Sequence, residues 1–128
     1  MTAPMIAKQR SLTFLQVAVA LQTAALFFQA TTAGLLLVTS HGEMVHGVGA
    51  RVMYGASMLY VLAAVLAWRP GGAAPRPILY ATGSLVLASV QVVLGIAHVR
   101  AVHVPLGVLM LVLSVLALRG TGRRGGRP

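Results

Sequence analysis

Four long apolar runs with almost nothing between them leave this chain few ways to fold. They are Leu12 to Val38, Val45 to Trp68, Ile78 to Ala97 and Val102 to Leu118. A hydrocarbon core of about 30 Å is crossed by about 20 helical residues, with a working range of roughly 17–25. The first three runs meet that length and the fourth falls inside the range. Only 9% of the residues are charged, against about 25% in a soluble domain, and the short connections leave no room for a soluble domain. Lys8 and Arg10 ahead of the first run, with Ala30-Thr31-Thr32-Ala33 inside it, resemble a secretory leader. The apolar stretch continues through Leu35, Leu36, Leu37 and Val38, beyond the about 7–15 residues of a leader core, so it is read as a retained span. The expected fold is all-α: an integral membrane up-down-up-down four-helix bundle over residues 1–119. Residues 120–128, an Arg-Gly tail, are expected to be disordered.

The net charge of +9 invites a nucleic-acid reading, but its distribution argues for a membrane. Lys8, Arg10, Arg69, Arg76, Arg119, Arg123, Arg124 and Arg127 all fall on one side of the four spans, while Arg100 lies in a loop on the other side and Arg51 lies within the second span. That bias is the positive-inside rule. It predicts a plasma (inner) membrane protein with both termini and the 69–77 connection cytoplasmic, and with the other two connections outside. The basic tail then meets anionic lipid. The chain has no cysteine, which excludes disulfides, thiolate metal sites, iron–sulfur clusters and covalent haem attachment within it.

A second feature divides the chain in two. His41-Gly42-Glu43-Met44-Val45-His46, followed by Met53 and Ser57, is matched by His98-Val99-Arg100-Ala101-Val102-His103, followed by Met110 and Ser114. Both read H-x3-V-H-x6-M-x3-S, 57 positions apart, and together they contain all four histidines. The 69–77 connection is rich in Pro and Gly, which break helices. The repeat therefore predicts two pseudo-symmetric helical hairpins, 11–68 and 77–119, related by an axis along the membrane normal. Short connections make consecutive helices antiparallel neighbours, so the second and fourth spans lie diagonally, about 13 Å apart for adjacent axes 8–10 Å apart.

That gap suits a metal macrocycle with an imidazole on each side, and paired imidazoles in a helix bundle are a common way to hold a haem. His46 and His103 are the expected axial ligands of a non-covalent haem b. Ala50 and Gly107 lie one turn below them, and Met53 and Met110 two turns below, on the same helix faces. The small pair would leave room for a flat ring and the thioethers would pack on its edge. The competing readings are two idle interfacial histidines, and small residues that merely let helices approach. His41 and His98, five residues upstream, sit about 140° around a helix from the ligand face and are read as solvated loop residues, with outer partners of the site or ligands to a second metal as the alternatives. Glu43 is the only acidic residue. It either stands beside the site or closes a capping box with Ser40. Arg51 and Arg100 are candidates for haem propionates; Arg51 alternatively pairs with Glu43 or snorkels outward, and Arg100 occupies the repeat position of Glu43 and could pair with it across the axis. Pro105 suits the first turn of the fourth span. Gln16, Gln22, Gln29 and Gln91 are read as interhelical hydrogen-bonding groups.

Glu43-x-x-His46 opening one span, Gln91-Val92-Val93-Leu94-Gly95 closing the next and His103 opening the last resemble one four-helix half of the haem A synthase family, over roughly Gln29 to Leu118. Those proteins have two such halves, each with a histidine pair on its second and fourth helices. They oxidise a methyl group of a haem with a bound haem b assisting. The resemblance implies that His46 and His103 ligate haem and that Glu43 is the carboxylate beside the substrate. The chain departs from the pattern in holding one half only, in having Gly47 where arginine often follows the histidine, and in lacking loop cysteines. One half offers one cavity, so a homodimer would be needed to rebuild the full arrangement. Two function classes follow. One is a b-type haem protein, an oxidoreductase or a carrier passing electrons to a membrane partner. The other is a haem-free small membrane protein, a transporter or an assembly subunit. A four-span multidrug transporter needs an acid within the membrane, and Glu43 lies at its outer edge.

Overall fold

The computed structural model describes residues 13–124, and among these there are four helices and no strand. They are α1 (Phe14–Leu35), α2 (Gly42–Trp68), α3 (Arg76–Ile96) and α4 (Arg100–Arg124). Each is long and apolar enough to cross a membrane. Lys8, Arg10 and Arg127, on which part of the expected charge bias rests, lie outside the described residues. α1 packs on α2 and α4, and α3 packs on the same two, so α2 and α4 lie diagonally. α1 runs antiparallel to both α2 and α4 by its cross-links: Gln22 meets Ser57 and Gln29 meets His46, Thr23 meets Ser114 and Gln16 meets Thr121.

The helix ends follow from local chemistry. α1 opens with a capping box, in which Thr13 Oγ1 accepts from the Gln16 N–H at 3.2 Å and Gln16 Oε1 accepts from the Thr13 N–H at 2.9 Å. This satisfies two of the donors a helix start leaves free. The turn into α2 is tight: a Cβ on Gly42 would stand 2.5 Å from the Leu35 carbonyl oxygen, so only glycine fits. The capping box expected at Ser40 and Glu43 does not form. His41 is the N-cap, without a side-chain cap bond, because the helix starts one residue later than that pattern requires. α4 likewise begins at Arg100 rather than at Pro105, which lies inside it. Residue 105 would bond to the carbonyl of residue 101, so proline there removes one bond near the helix start. At its far end α4 runs on through Gly120–Arg124, past the boundary at 119, since an established helix propagates more readily than it nucleates.

α3 ends in a Schellman motif. Val99 N–H reaches Leu94 O at 3.0 Å and His98 N–H reaches Gly95 O at 3.1 Å, with His98 itself at φ 55°. Glycine is the usual occupant of that left-handed position.

The packing is inverted relative to a water-soluble protein. Inside lie Ala18, Ala25, Ala63, Ala64, Ala81 and Ala88, together with Gln22, Thr32, Ser57, Gln91 and Ser114. Outside lie Phe27, Leu37, Leu79, Val93 and many other large apolar side chains. Small residues let the helices approach and buried polar groups tie them together, as in bundles whose solvent is itself apolar.

The left-handed φ makes His98 a costly turn residue. His98→Gly should raise stability in detergent by up to about 1 kcal/mol, read as a higher thermal midpoint. A lower midpoint would show that the His98 ring makes contacts the turn depends on.

Candidate functional site

The repeat meets itself at the diagonal. The rings of His46 on α2 and His103 on α4 lie with centroids 6.3 Å apart and planes at 69°. Both side chains are half-buried. Below them Met53 and Met110 are buried in one core cluster with Ala25, Leu26 and Ala88. Deeper still, Ser57 accepts from Gln22 Nε2 at 3.1 Å and Ser114 meets Thr23 at 2.6 Å, so each repeat serine is tied to α1. The spacing that marked the repeat thus becomes three layers of matched side chains: the facing rings, the clustered methionines and the two serines tied to α1.

The protons on the two imidazoles follow from their partners. His103 Nδ1 stands 3.1 Å from the backbone carbonyl of Gln91. A carbonyl only accepts, so Nδ1 donates and Nε2 keeps a lone pair. Gly95 on α3 faces the same ring, its missing side chain leaving His103 Cε1 3.4 Å from where a Cβ would be. For His46 two contacts agree. Thr32 Oγ1 donates its one proton to Gln29 O at 2.9 Å and so accepts from His46 Nδ1 at 3.0 Å. Gln29 Nε2 can only donate, so His46 Nε2, 3.2 Å away, accepts. Both histidines therefore hold the same tautomer, each through an oxygen on the helix that precedes it. That is the arrangement that orients metal-binding imidazoles, with the far nitrogen fixed by a hydrogen bond.

The halves differ at the other nitrogen. Gln29 covers His46 Nε2 and spends its second N–H on the His46 backbone carbonyl at 3.1 Å. Among the described residues nothing hydrogen-bonds His103 Nε2. The Gln91 side chain turns instead toward Gly107, where a Cβ would stand 2.9 Å from Gln91 Nε2, and its Oε1 is buried without a partner. Gln29 Oε1 lies against Gly49, one residue before the repeat equivalent of Gly107.

The remaining candidates are set apart from the ring pair. His41 is exposed, with Ser40 Oγ 3.4 Å from its Nδ1, and His98 is exposed in the turn between α3 and α4. Glu43 and Arg51 are exposed and line an open groove of about 520 Å³ with Ser40, Met44, Gly47 and Val48, all on α2 or the turn before it. Arg51 lies about 140° around the helix from His46, facing outward. Arg100 is exposed at the start of α4, and Ala50 and Gly107 are partly buried one turn below the histidines.

Two residues of this site were not singled out for it by sequence. Gln29 was one of several glutamines, distinguished only by its place near the end of α1. Thr32 stood within the leader-like Ala30-Thr31-Thr32-Ala33. A polar pair at i and i+3 near the end of one span, opposite a histidine opening the next, is the signal that would have found both. No protein-family model, curated protein or solved structure matches this chain.

Thr32→Val removes the acceptor of the His46 Nδ1 proton, and an orphaned buried donor costs about 1–3 kcal/mol. Nitrogen NMR of labelled histidine should then show His46 shared between tautomers while His103 keeps its own. An unchanged His46 would show that Gln29 alone fixes the ring.

Proposed function

We propose that the chain is a multi-pass, up-down-up-down membrane bundle, in the plasma (inner) membrane, that binds one b-type haem between His46 and His103. The observation that carries this reading is the matched pair of imidazoles on α2 and α4, their ring centroids 6.3 Å apart and each held through Nδ1–H so that Nε2 carries the lone pair. The outward display of large apolar side chains supports the membrane part of the reading.

The ring spacing is that of two imidazoles on one iron, once Gln29 leaves His46 and both Nε2 atoms turn toward a common point. Two metal–nitrogen bonds of about 2.0 Å, plus roughly 1.1 Å from each nitrogen to its ring centre, bring the centroids to about 6.2 Å. The centroids here are 6.3 Å apart. A macrocycle between the rings would need the space that the Gln29 and Gln91 carboxamides fill, against Gly49 and Gly107. Both are ends of flexible side chains and can turn outward, whereas backbone or β-branched groups there could not. His46 and His103 would hold the iron through Nε2. The Thr32 hydroxyl and the Gln91 carbonyl would fix both rings and raise their basicity. Arg100, three residues before His103, would meet a propionate at the outer end. A haem held by two histidines supplies one-electron transfer. Whether the chain also modifies a haem, as the resemblance implies, turns on Glu43, which lies in the outward groove and would need a second copy of the chain to face a substrate. The packed carboxamides favour a second reading, a haem-free bundle in which they serve only as helix ties.

Protein purified in mild detergent should be red, with the sharp reduced bands of low-spin iron. His46→Ala and His103→Ala should each lose the six-coordinate spectrum, while His41→Ala, His98→Ala and Glu43→Gln should keep it. Colourless protein that takes up no added haemin would sink the reading.

Orientation has its own test. An impermeant thiol reagent applied to intact cells should label a cysteine placed at the exposed Ser40 and spare one at Gly72, because Arg69 and Arg76 flank the latter. The reverse pattern would put the histidines on the cytoplasmic side.

A further inference from the structure

The two hairpins agree at Nδ1 and differ at Nε2, and this difference has a direction. We propose that Gln29 is a displaceable stand-in for the metal on His46, so that the two histidines engage a haem in a fixed order, His103 first and His46 second. The inference rests on the haem reading above and adds a loading sequence and a positioning residue to it.

His46 has both ring nitrogens engaged, Nδ1 with Thr32 and Nε2 with Gln29. The Gln29 amide has spent both of its N–H groups on one residue, the ring and the backbone carbonyl of His46. His46 cannot offer its lone pair to a metal until that amide leaves. His103 has Nδ1 engaged with the Gln91 carbonyl, and no described group donates to its Nε2. No hydrogen bond at its ring has to break before it binds. The Gln91 carboxamide is the looser of the two, with Oε1 lacking any partner despite only 8% exposure of the residue, so the space below His103 opens at less cost than the space below His46.

Before the metal arrives, Gln29 also does something useful for the fold. An imidazole lone pair buried in an apolar bundle without a donor is unfavourable, and a carboxamide supplies that donor while remaining easy to displace. Pairing to Gln29 keeps His46 turned into the bundle, where the second bond will form, rather than outward to lipid.

The test uses the full chain in detergent, with Gln29→Ala and the size-preserving Gln29→Leu. In the metal-free protein, the nitrogen NMR signal of His46 Nε2 should move toward that of an imidazole without a donor in both variants, with His103 unmoved. On rapid mixing with haemin, the wild type should show a one-histidine spectrum first and a slower conversion to the two-histidine spectrum. Loss of one neutral hydrogen bond should speed that second phase by about three- to tenfold in both variants. His46→Ala should stop after the first phase, and His103→Ala should lose the first phase. Equal second-phase rates in wild type and both variants, a first phase that depends on His46, or an unmoved His46 signal would overturn the order and leave haem binding standing. Failure of every form, wild type included, to take up haemin would overturn both.

Discussion

An N–H buried in an apolar helix bundle has to be met by an acceptor on another helix, and the placement of both histidine rings depends on that. Thr32 on α1 takes the proton of His46, and the Gln91 carbonyl on α3 takes that of His103. Each interhelical hydrogen bond of this kind is worth only about 0.6 kcal/mol on average in a membrane bundle. Leaving the donor unmet costs about 1–3 kcal/mol. The asymmetry means that these bonds act less as a source of stability than as a rule about geometry: they forbid the rings from turning elsewhere. With Nδ1 pinned, the lone pair on Nε2 has one direction left to it.

Duplication makes the arrangement symmetric, and its departures from symmetry are where chemistry enters. Histidine, methionine and serine recur at matched depths on α2 and α4, but α1 is richer in polar side chains than α3. It supplies Gln22, Thr23, Gln29 and Thr32 to the interior, where α3 supplies Gln91 and, through Ser89, a bond to Tyr54. Both repeat serines are therefore tied to α1, and His46 receives two side-chain partners where His103 receives one backbone carbonyl. A strictly repeated pair would bind a metal from either side alike. This pair has one histidine held and one open.

How much of this was legible in sequence depends on the kind of constraint. The four helices were, because apolar length is a one-dimensional property: the runs ending at Trp68 and near Leu35 and Ile96 match α2, α1 and α3 within a few residues. The diagonal placement of α2 and α4 was also legible, from short connections, and so was the His46–His103 level, from the repeat offset. Helix starts were not. Ser40 and Glu43 matched a capping pattern and Pro105 matched a first turn, yet α2 starts after His41 and α4 at Arg100, because the turn around Gly42 and the Schellman motif at His98 set where each helix can begin. The real capping box, Thr13 with Gln16, lay at the edge of the first run, where Gln16 was read only as an interhelical hydrogen-bonding group, a role it also fills through the Thr121 carbonyl. The roles of Gln29 and Thr32 depend on contact with another helix, and no periodicity within α1 encodes which glutamine faces an imidazole.

The central claim is that one iron lies between these two imidazoles, and the most direct measurement is pulsed electron paramagnetic resonance of the ferric protein grown with nitrogen-15 histidine. Two strongly coupled imidazole nitrogens are predicted in the wild type, with one of them absent from His46→Ala and one from His103→Ala. A ferric centre coupled to a single histidine nitrogen, or coupled to two that persist when His46 and His103 are both replaced, would contradict the account.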